Sequence, residues 1–422
     1  MFVCPCLEFV TFKHKVASVN NLLLILDGGN FPHFCFMVEF SFSYKELFDA
    51  YEDCLKNKKN SSSAILFTQN YIEKVIELCD QINNRTYKIG TSNCFVIKYP
   101  KYREVFAAEF RDRIVHHLVI NELMPYFEKY FIKESFSCMI GRGTLYGVNT
   151  MYEYMNECTE NYTKEAYVLK MDIKNFFMNI DKLLLAKMLD DFIAEKYEDN
   201  RKKECLRWLC NMIIMHHPED NCVIKCSKEL WKALGKGKSL FDIDKTKGLA
   251  IGNLTSQLFA NFYMTKMDYF IKNNLGFKYY GRYVDDFLIF DTDKEKLKKS
   301  IKLIREFCRT ELMLDLHPNK IYLQNCKHGV NFIGAVIMPN RIYCGNRTIG
   351  QFYNKLYSIY RTPNKNDAEN FVSSVNSYLG YMKHYSSYNK RKDILTKSEL
   401  LEAWKEYITI NDDLLKISIK NK

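Results

Sequence analysis

An acidic pair caught between two strand-like runs constrains this chain more than any other feature. Phe277-Lys278-Tyr279-Tyr280-Gly281-Arg282-Tyr283 and Phe287-Leu288-Ile289-Phe290 are rich in aromatic and branched residues, and Val284-Asp285-Asp286 is the break between them. The pattern predicts a β-hairpin with both aspartates at its tip. Upstream, Tyr167-Val168-Leu169-Lys170-Met171-Asp172 reads as a short buried strand, with a helical segment starting after Asn175. If that strand lies beside the hairpin, Asp172 and Asp285 face each other. Three carboxylates so placed repel one another, and together they can hold two magnesium ions. Ions about 3.5–4 Å apart activate an attacking 3′ oxygen and stabilise a leaving pyrophosphate. Magnesium suits that role because it keeps several waters and binds through a few carboxylates plus substrate phosphates.

An acidic pair at a turn is by itself ambiguous, since aspartate is a common turn residue. Its neighbours narrow the reading. Gly248-Leu249-Ala250-Ile251-Gly252-Asn253-Leu254-Thr255-Ser256-Gln257 precedes the hairpin, and Leu258, Phe259, Phe262, Tyr263, Met267, Phe270 and Ile271 then recur at helical spacing. A glycine turn opening a helix allows close approach to a nucleotide or template base. After the hairpin, Thr292 and Glu295 predict a capping box for a helix carrying Leu297, Ile301, Ile304 and Phe307. Leu314, Leu316, Lys320 and Phe332-Ile333-Gly334 follow, in the order a polymerase palm requires.

The blocks Pro100-Lys101-Tyr102-Arg103-Glu104, Phe110-Arg111-Asp112-Arg113-Ile114-Val115-His116-His117, Gly141-Arg142-Gly143-Thr144, the Asp172 strand, Ile251 to Gln257 and Tyr283 to Asp286 resemble the successive finger and palm motifs of reverse transcriptases. The Ile-Gly-x-x-x-Ser-Gln form is similar to that of diversity-generating retroelements of bacteria and their phages; group II intron and retroviral-type enzymes usually read Gln-Gly-x-x-x-Ser-Pro. The likeness runs from about residue 40 to about residue 395. It implies an α+β right-hand polymerase with fingers, a ferredoxin-like palm and a helical thumb. The expected division is an N-terminal extension over 1–38, disordered or preceding a true start at Met37, then fingers over 39–165. A palm over 166–345 follows, with an insertion at about 195–247, and 346–422 form the thumb and tail. Thumb helices are expected from Phe352, Leu356 and Ile359, and from Phe371, Val375, Tyr378, Leu379 and Met382.

The same resemblance implies roles. Asp172 and Asp285 are the principal metal ligands, with the Ile173 carbonyl completing a site and Asp286 the weaker partner. Phe177, five residues after Asp172, blocks a ribose 2′ hydroxyl, whereas Phe176 is expected in the core. Lys101 and Arg103 grip the incoming triphosphate from a finger hairpin, the arginine as a planar fork and the lysine as a point charge. Lys320 is placed to protonate pyrophosphate, a general-acid role that typically contributes about 10²–10⁴-fold; an ordinary surface lysine is the alternative. Phe332, Ile333 and Gly334 support the primer 3′ end or are simply a strand packed on the palm. Ile251, Gly252 and Gln257 border the nucleotide. An aliphatic Ile251 cannot hydrogen-bond near the nascent pair as a glutamine can, and the resemblance implies error-prone copying at template adenines. Implied with these are two Mg²⁺ ions, for which Mn²⁺ can substitute, and deoxynucleoside triphosphates. A template RNA with its RNA/cDNA hybrid, a small basic accessory protein and a cytoplasmic setting complete the list. The alternatives are a retron or group II intron-like enzyme, against which Gln257 stands, and a non-catalytic RNA-binding scaffold, which has no use for three repelling carboxylates. An RNA-templated RNA polymerase is disfavoured by Phe177.

Composition agrees with this reading. A net charge of +11 over 422 residues favours a polyanionic partner, and 47% hydrophobic content is enough for a large core. The clusters Lys298-Lys299 and Lys390-Arg391-Lys392 read as solvated faces. Fifteen cysteines, an odd number without a secretion signal, favour reduced thiols over a disulfide framework. His216, His217, Cys222 and Cys226 are a zinc candidate set against an ordinary loop, and Cys4 with Cys6 a weaker one. Asn21-Leu22-Leu23-Leu24-Ile25-Leu26 is too short to span a membrane. No RNase H, integrase or endonuclease signature is evident.

Overall fold

The computed structural model describes residues 41–56, 58–98 and 101–420; the expected N-terminal extension, with Met37, Cys4, Cys6 and the apolar run at 21–26, lies outside them. The described chain opens with three helices, Tyr44–Leu55, Ser62–Thr68 and Tyr71–Asn83. A capping box starts the first of them: Glu46 N–H donates to Ser43 Oγ, and Ser43 N–H donates to Glu46 Oε2 at 2.8 Å. The strands β1 (Ser92–Ile97) and β2 (Arg103–Ala108) form an antiparallel hairpin. Next come the helices Phe110–Tyr130 and Thr144–Cys158, and then β3 (Tyr167–Asp172).

After β3 a short turn of helix, Phe176–Asn179, leads into Lys182–Lys196 and Asn200–Met215, which pack on each other. The expected insertion therefore begins as core: Cys205, Leu206, Leu209, Cys210 and Ile214 of its helix are buried. Its second half returns to the first hairpin. There β4 (Cys222–Ile224) pairs in parallel with β1 and makes a three-stranded sheet in the order β2-β1-β4.

The helices Leu254–Tyr263 and Thr265–Tyr269 precede β5 (Tyr279–Tyr283) and β6 (Asp286–Asp291), the predicted hairpin. The next helix, Lys294–Glu311, is capped by Asp293, whose Oδ1 accepts the Lys296 N–H at 2.9 Å. The expected Thr292–Glu295 box is corrected by one residue, because Asp293 offers the stronger acceptor to the orphan N–H groups of the first turn. Leu297 and Ile304 are buried as expected, whereas Phe307 is half-buried and stacks on Phe270 at 4.1 Å.

β7 (Tyr322–Asn325) completes a central antiparallel sheet ordered β5-β6-β3-β7. Side chains alternate across it with period two. Leu169, Met171, Phe287 and Ile289 enter one core with the long helices, while Val168, Leu288 and Phe290 enter a second core. That second core is roofed by β8 (Val330–Phe332), β9 (Ala335–Met338) and β10 (Arg341–Cys344), and by the helices Asn346–Ile359, Ala368–Met382, Tyr388–Lys397 and Glu399–Trp404. Trp404 stacks on Phe371 at 4.1 Å. A terminal hairpin of β11 (Ile408–Ile410) and β12 (Ile417–Ile419) was not anticipated; the Asn376 side chain bonds both the N–H and the carbonyl of Ile417, at 2.8 and 2.9 Å.

Every described cysteine is a free thiol. Among the described residues no helix is long and apolar enough to cross a membrane.

Candidate active site

β5 and β6 close through the pair Tyr283 and Asp286, leaving Val284-Asp285 as a two-residue turn. Such loops usually require a positive φ, which glycine or asparagine normally supplies. Here Val284 supplies it, at φ 58°. A β-branched residue in that region is strained by about 1–3 kcal/mol, so its surroundings must hold it. Arg282, fully buried, donates from Nη1 to the Val284 carbonyl at 3.0 Å and to Asn261 Oδ1 at 2.8 Å. Its Nε and Nη2 reach the two oxygens of Asp268 at 2.7 and 2.5 Å. Tyr280 donates to the same carboxylate at 2.6 Å, and Val284 N–H donates to Ser137 Oγ at 3.3 Å. Burial opposes the Arg282 charge, but Asp268 outweighs it and lifts the guanidinium pKa above its usual value. Sequence reasoning missed this network. Its signal was an arginine inside an otherwise apolar strand pattern.

The register of β3 against β6 pairs Asp172 with Asp286, not with Asp285 as expected. The turn consumes Val284 and Asp285, so β6 begins at Asp286. Asp285 stands at the turn, where its carbonyl accepts the Ile173 N–H at 3.3 Å. All three carboxyls nonetheless share one end of the sheet. Burial and then the Asp172 charge raise Asp285 to a pKa of about 6. Burial raises Asp286 as well, against the pull of Lys170.

Lysines engage two of the three. Lys320 Nζ lies 2.8 Å from both oxygens of Asp172. Lys170 Nζ donates to Asp286 Oδ2 at 2.8 Å and to the Asn331 carbonyl at 2.7 Å. Lys170 was not anticipated, although a residue two positions before Asp172 on a strand must share its face. Among the described residues no three His, Cys, Asp or Glu side chains form a ready-made cation cage. The donor set still fits hard divalent cations, which take oxygen ligands. Asp286 Oδ1 is buried without a partner, and the repulsion felt at Asp285 is what a cation relieves. Ile173 is buried beside them and bridges to Leu316.

Further cations cluster around Lys101, which itself feels the Asp172 charge. Arg103 opens β2 and is exposed, and Lys101 precedes it at the hairpin tip. Burial, then Lys320 and Arg347, lower the Lys101 pKa, while Asp172 opposes them. Arg347 lies in the first turn of the Asn346–Ile359 helix; reading that helix only for apolar spacing overlooked it.

Phe176 is buried as expected, and half-buried Phe177 meets it edge-on at 5.4 Å. The Phe177 carbonyl accepts the Leu249 N–H, and the Ile251 carbonyl accepts the Phe106 N–H, both at 2.8 Å. The stretch from Leu249 to Gly252 thus bridges the Phe177 turn and β2. Gly252 has φ 124°, and a Cβ there would lie 2.7 Å from Val105 Cγ1 and 2.9 Å from the Phe106 carbonyl oxygen. The missing Cβ therefore admits the β2 backbone. Ile251 packs beside Cys94, Phe106, Met178 and Leu240. Gln257 is exposed, with the Cys138 thiol donating to its Oε1 at 4.0 Å.

Ile333 and Gly334 form the β8–β9 turn, at φ 46° and 83°. Gly345 N–H donates to the Gly334 carbonyl at 2.8 Å. Phe332 is buried, with Lys170 Nζ 6.0 Å from its ring centroid, so this turn and Asp286 share one lysine.

The zinc candidates do not gather. His217 Nδ1 lies 3.3 Å from Lys182 Nζ and 3.2 Å from Glu219 Oε1, and Cys222 donates to the Glu219 carbonyl at 3.9 Å. The Cys226 thiol instead accepts the Val96 N–H at 3.2 Å, because β4 pairing delivers it to β1. Of the two readings of these residues, the geometry favours the ordinary loop.

No curated protein matches the chain. Among solved structures, it is similar to apo telomerase from Candida tropicalis at 14% identity and a TM-score of 0.46, over 75% of this chain and 57% of that one. Telomerase from Candida albicans, in complex with a fragment of telomeric RNA, gives 12% identity and a TM-score of 0.44 over 80% and 62%. The chain thus spans less than two thirds of the length of these structures. The profile of the family described as Reverse transcriptase (RNA-dependent DNA polymerase) matches residues 96–337, more than half of the sequence and all of the carboxylate site. The chain belongs to the reverse transcriptase family.

Proposed function

We propose that this chain is an RNA-directed DNA polymerase that copies a template RNA into cDNA, with the carboxylate end of the central sheet as its reacting centre. The observation that carries the reading is the convergence of Asp172, Asp285 and Asp286, with Asp285 raised to about 6 by burial and its neighbours. Asp172, Asp285 and Asp286 would hold two Mg²⁺ ions, or Mn²⁺ in their place, and the Ile173 carbonyl would be a further ligand. When bound, these ions activate the primer 3′ oxygen and stabilise the leaving pyrophosphate.

The chain's own side chains do the rest. Lys320 and Lys170 neutralise the carboxylates before the cations arrive, and Lys320, released from Asp172, donates a proton to pyrophosphate. Lys101, Arg103 and Arg347 bind the triphosphate. Phe177 excludes a 2′ hydroxyl from the sugar. The β8–β9 turn at Phe332, Ile333 and Gly334 seats the primer end. The sheet around Asp172 serves as palm, the β1–β2 hairpin and its helices as fingers, and the helices after Asn346 as thumb.

The finer reading is a diversity-generating retroelement enzyme, bacterial or phage-encoded and cytoplasmic, that works with a structured template RNA and a small basic accessory protein. Support comes from Ile251 and Gln257: the first packs among apolar side chains and offers no polar clamp, and the second is exposed near Cys138. Primer extension with deoxynucleotides and magnesium on an RNA template, followed by product sequencing, tests both levels. Synthesis with errors clustered at template adenines, fewer in Ile251→Gln but not in the apolar control Ile251→Met, supports the whole reading. Accurate synthesis removes the mutagenic role, and no synthesis with cognate RNA and accessory protein present removes the polymerase.

A further inference from the structure

The loop of the insertion that follows β4 is fastened to the first hairpin by one buried carboxylate. Glu104, on β2 beside Arg103, is 1% exposed and accepts three hydrogen bonds from that loop. Trp231 Nε1 donates at 2.7 Å, Ser239 Oγ at 2.6 Å and the Leu240 N–H at 2.7 Å. A charge so desolvated is costly unless its lone pairs are satisfied, and all three partners lie within residues 231–240. Apolar contacts reinforce the latch: Leu240 joins Cys94, Phe106 and Met178, and Phe241 packs on Phe106 at 5.7 Å.

Between Trp231 and Ser239 the chain passes Asn175, three residues after Asp172. Gly237 has φ 70°, and a Cβ on it would lie 3.5 Å from Asn175 Nδ2. Asn175 is midway between Asp172 and Phe177. On the reading proposed above, on which this inference rests, those two residues mark the phosphate end and the sugar of the nucleotide, so Gly237 stands alongside it. Lys236 and Lys238 flank that glycine and are exposed. Lys232 pairs with Glu229 and Lys245 with Asp220, whereas among the described residues no ion pair involves Lys236 or Lys238, as none involves Lys225, Lys228 or Lys247. Ser239, next to Lys238, is itself a member of the latch, so the pair projects from an anchored segment.

We propose that Lys236-Gly237-Lys238 forms an outer wall of the nucleotide site, with both lysines binding the terminal phosphates of the incoming nucleoside triphosphate. The Glu104 latch makes this wall one body with the hairpin that carries Lys101 and Arg103.

The test uses the full chain on an RNA template with a DNA primer. Equilibrium binding of a deoxynucleoside triphosphate is measured with a chain-terminated primer, and KM and kcat are measured with an extendable one. In Lys236→Gln/Lys238→Gln the triphosphate Kd and KM rise about tenfold, the loss expected for charge-assisted phosphate contacts, while kcat and template–primer affinity stay within about twofold. Trp231→Phe, which keeps the ring but removes one donor to Glu104, raises KM by a smaller factor. Unchanged KM and Kd in an active parent overturn the inference and leave the polymerase standing, as does a loss confined to template–primer affinity. A parent that neither extends primers nor binds triphosphate removes the underlying reading, and this wall with it.

Discussion

The β5–β6 hairpin carries Asp285 and Asp286, two of the three carboxylates of the site, and the β1–β2 hairpin carries Lys101 and Arg103; the two are supported in opposite ways. Beneath the first lies a fully buried Arg282–Asp268 pair that grips the strained Val284 turn. The second shows Arg103 to solvent and is fastened from behind through Glu104. A desolvated ion pair costs much of what it gains, so it is placed where geometry must be fixed to a fraction of an ångström. Charges that meet a hydrated, mobile phosphate keep their own hydration until the partner arrives. On the proposed reading the first hairpin serves the chemistry and the second holds the triphosphate.

Arg282→Met breaks that division most severely. It leaves Asp268 buried and unpaired, which costs about 3–5 kcal/mol of stability, and it frees the Val284 carbonyl. Thermal unfolding of Arg282→Met/Asp268→Leu recovers much of the loss, but kcat stays depressed because nothing holds the turn. If the double variant regains full activity, the pair is merely structural.

The titration of Asp285 comes next. Its folded pKa of about 6 lies above the ordinary carboxylate value, so the folded state binds the extra proton between roughly pH 4 and 6. Without divalent cations, stability therefore falls as pH rises through that window, by about 3 kcal/mol at most. Melting temperatures in chelator show the slope, and Asp285→Asn reduces it to the part that Asp286 contributes. A slope unchanged in Asp285→Asn assigns the titration elsewhere.

Selection is sharpened by Phe177→Ala, which lowers discrimination against ribonucleotides by about 10²-fold while deoxynucleotide kcat changes little. Competition between the two nucleotide types reads this directly. Arg103→Lys has the smallest effect, a rise in KM of about threefold to tenfold from loss of the planar fork, with kcat preserved. A fall in kcat alone would move Arg103 to the chemical side of the comparison.

How far the sequence exposed these parts depended on the range of the interaction. The hairpin, the Asp172 strand and the helices were legible because apolar alternation and helical spacing are local signals. Lys170 was within reach by the same period-two argument. Asp268 and Asn261 were not, because a buried polar network is set by which elements meet in space. The pairing of Asp172 with Asp286 turned on how many residues the turn consumed, which propensity does not fix. The packing of Gly252 against β2 was not legible either, because β2 lies about 145 residues earlier in the chain. The parallel addition of β4 to β1 escaped for the same reason.

The most direct test of the central claim is rapid-quench incorporation of a single deoxynucleotide on an RNA template, with magnesium, by the parent and by Asp285→Asn. The account predicts incorporation by the parent and a fall of about 10³-fold or more in the variant, with triphosphate affinity within a few fold. Equal rates in the two proteins would contradict it, because the carboxylate end of the sheet would then not be where the new bond is made.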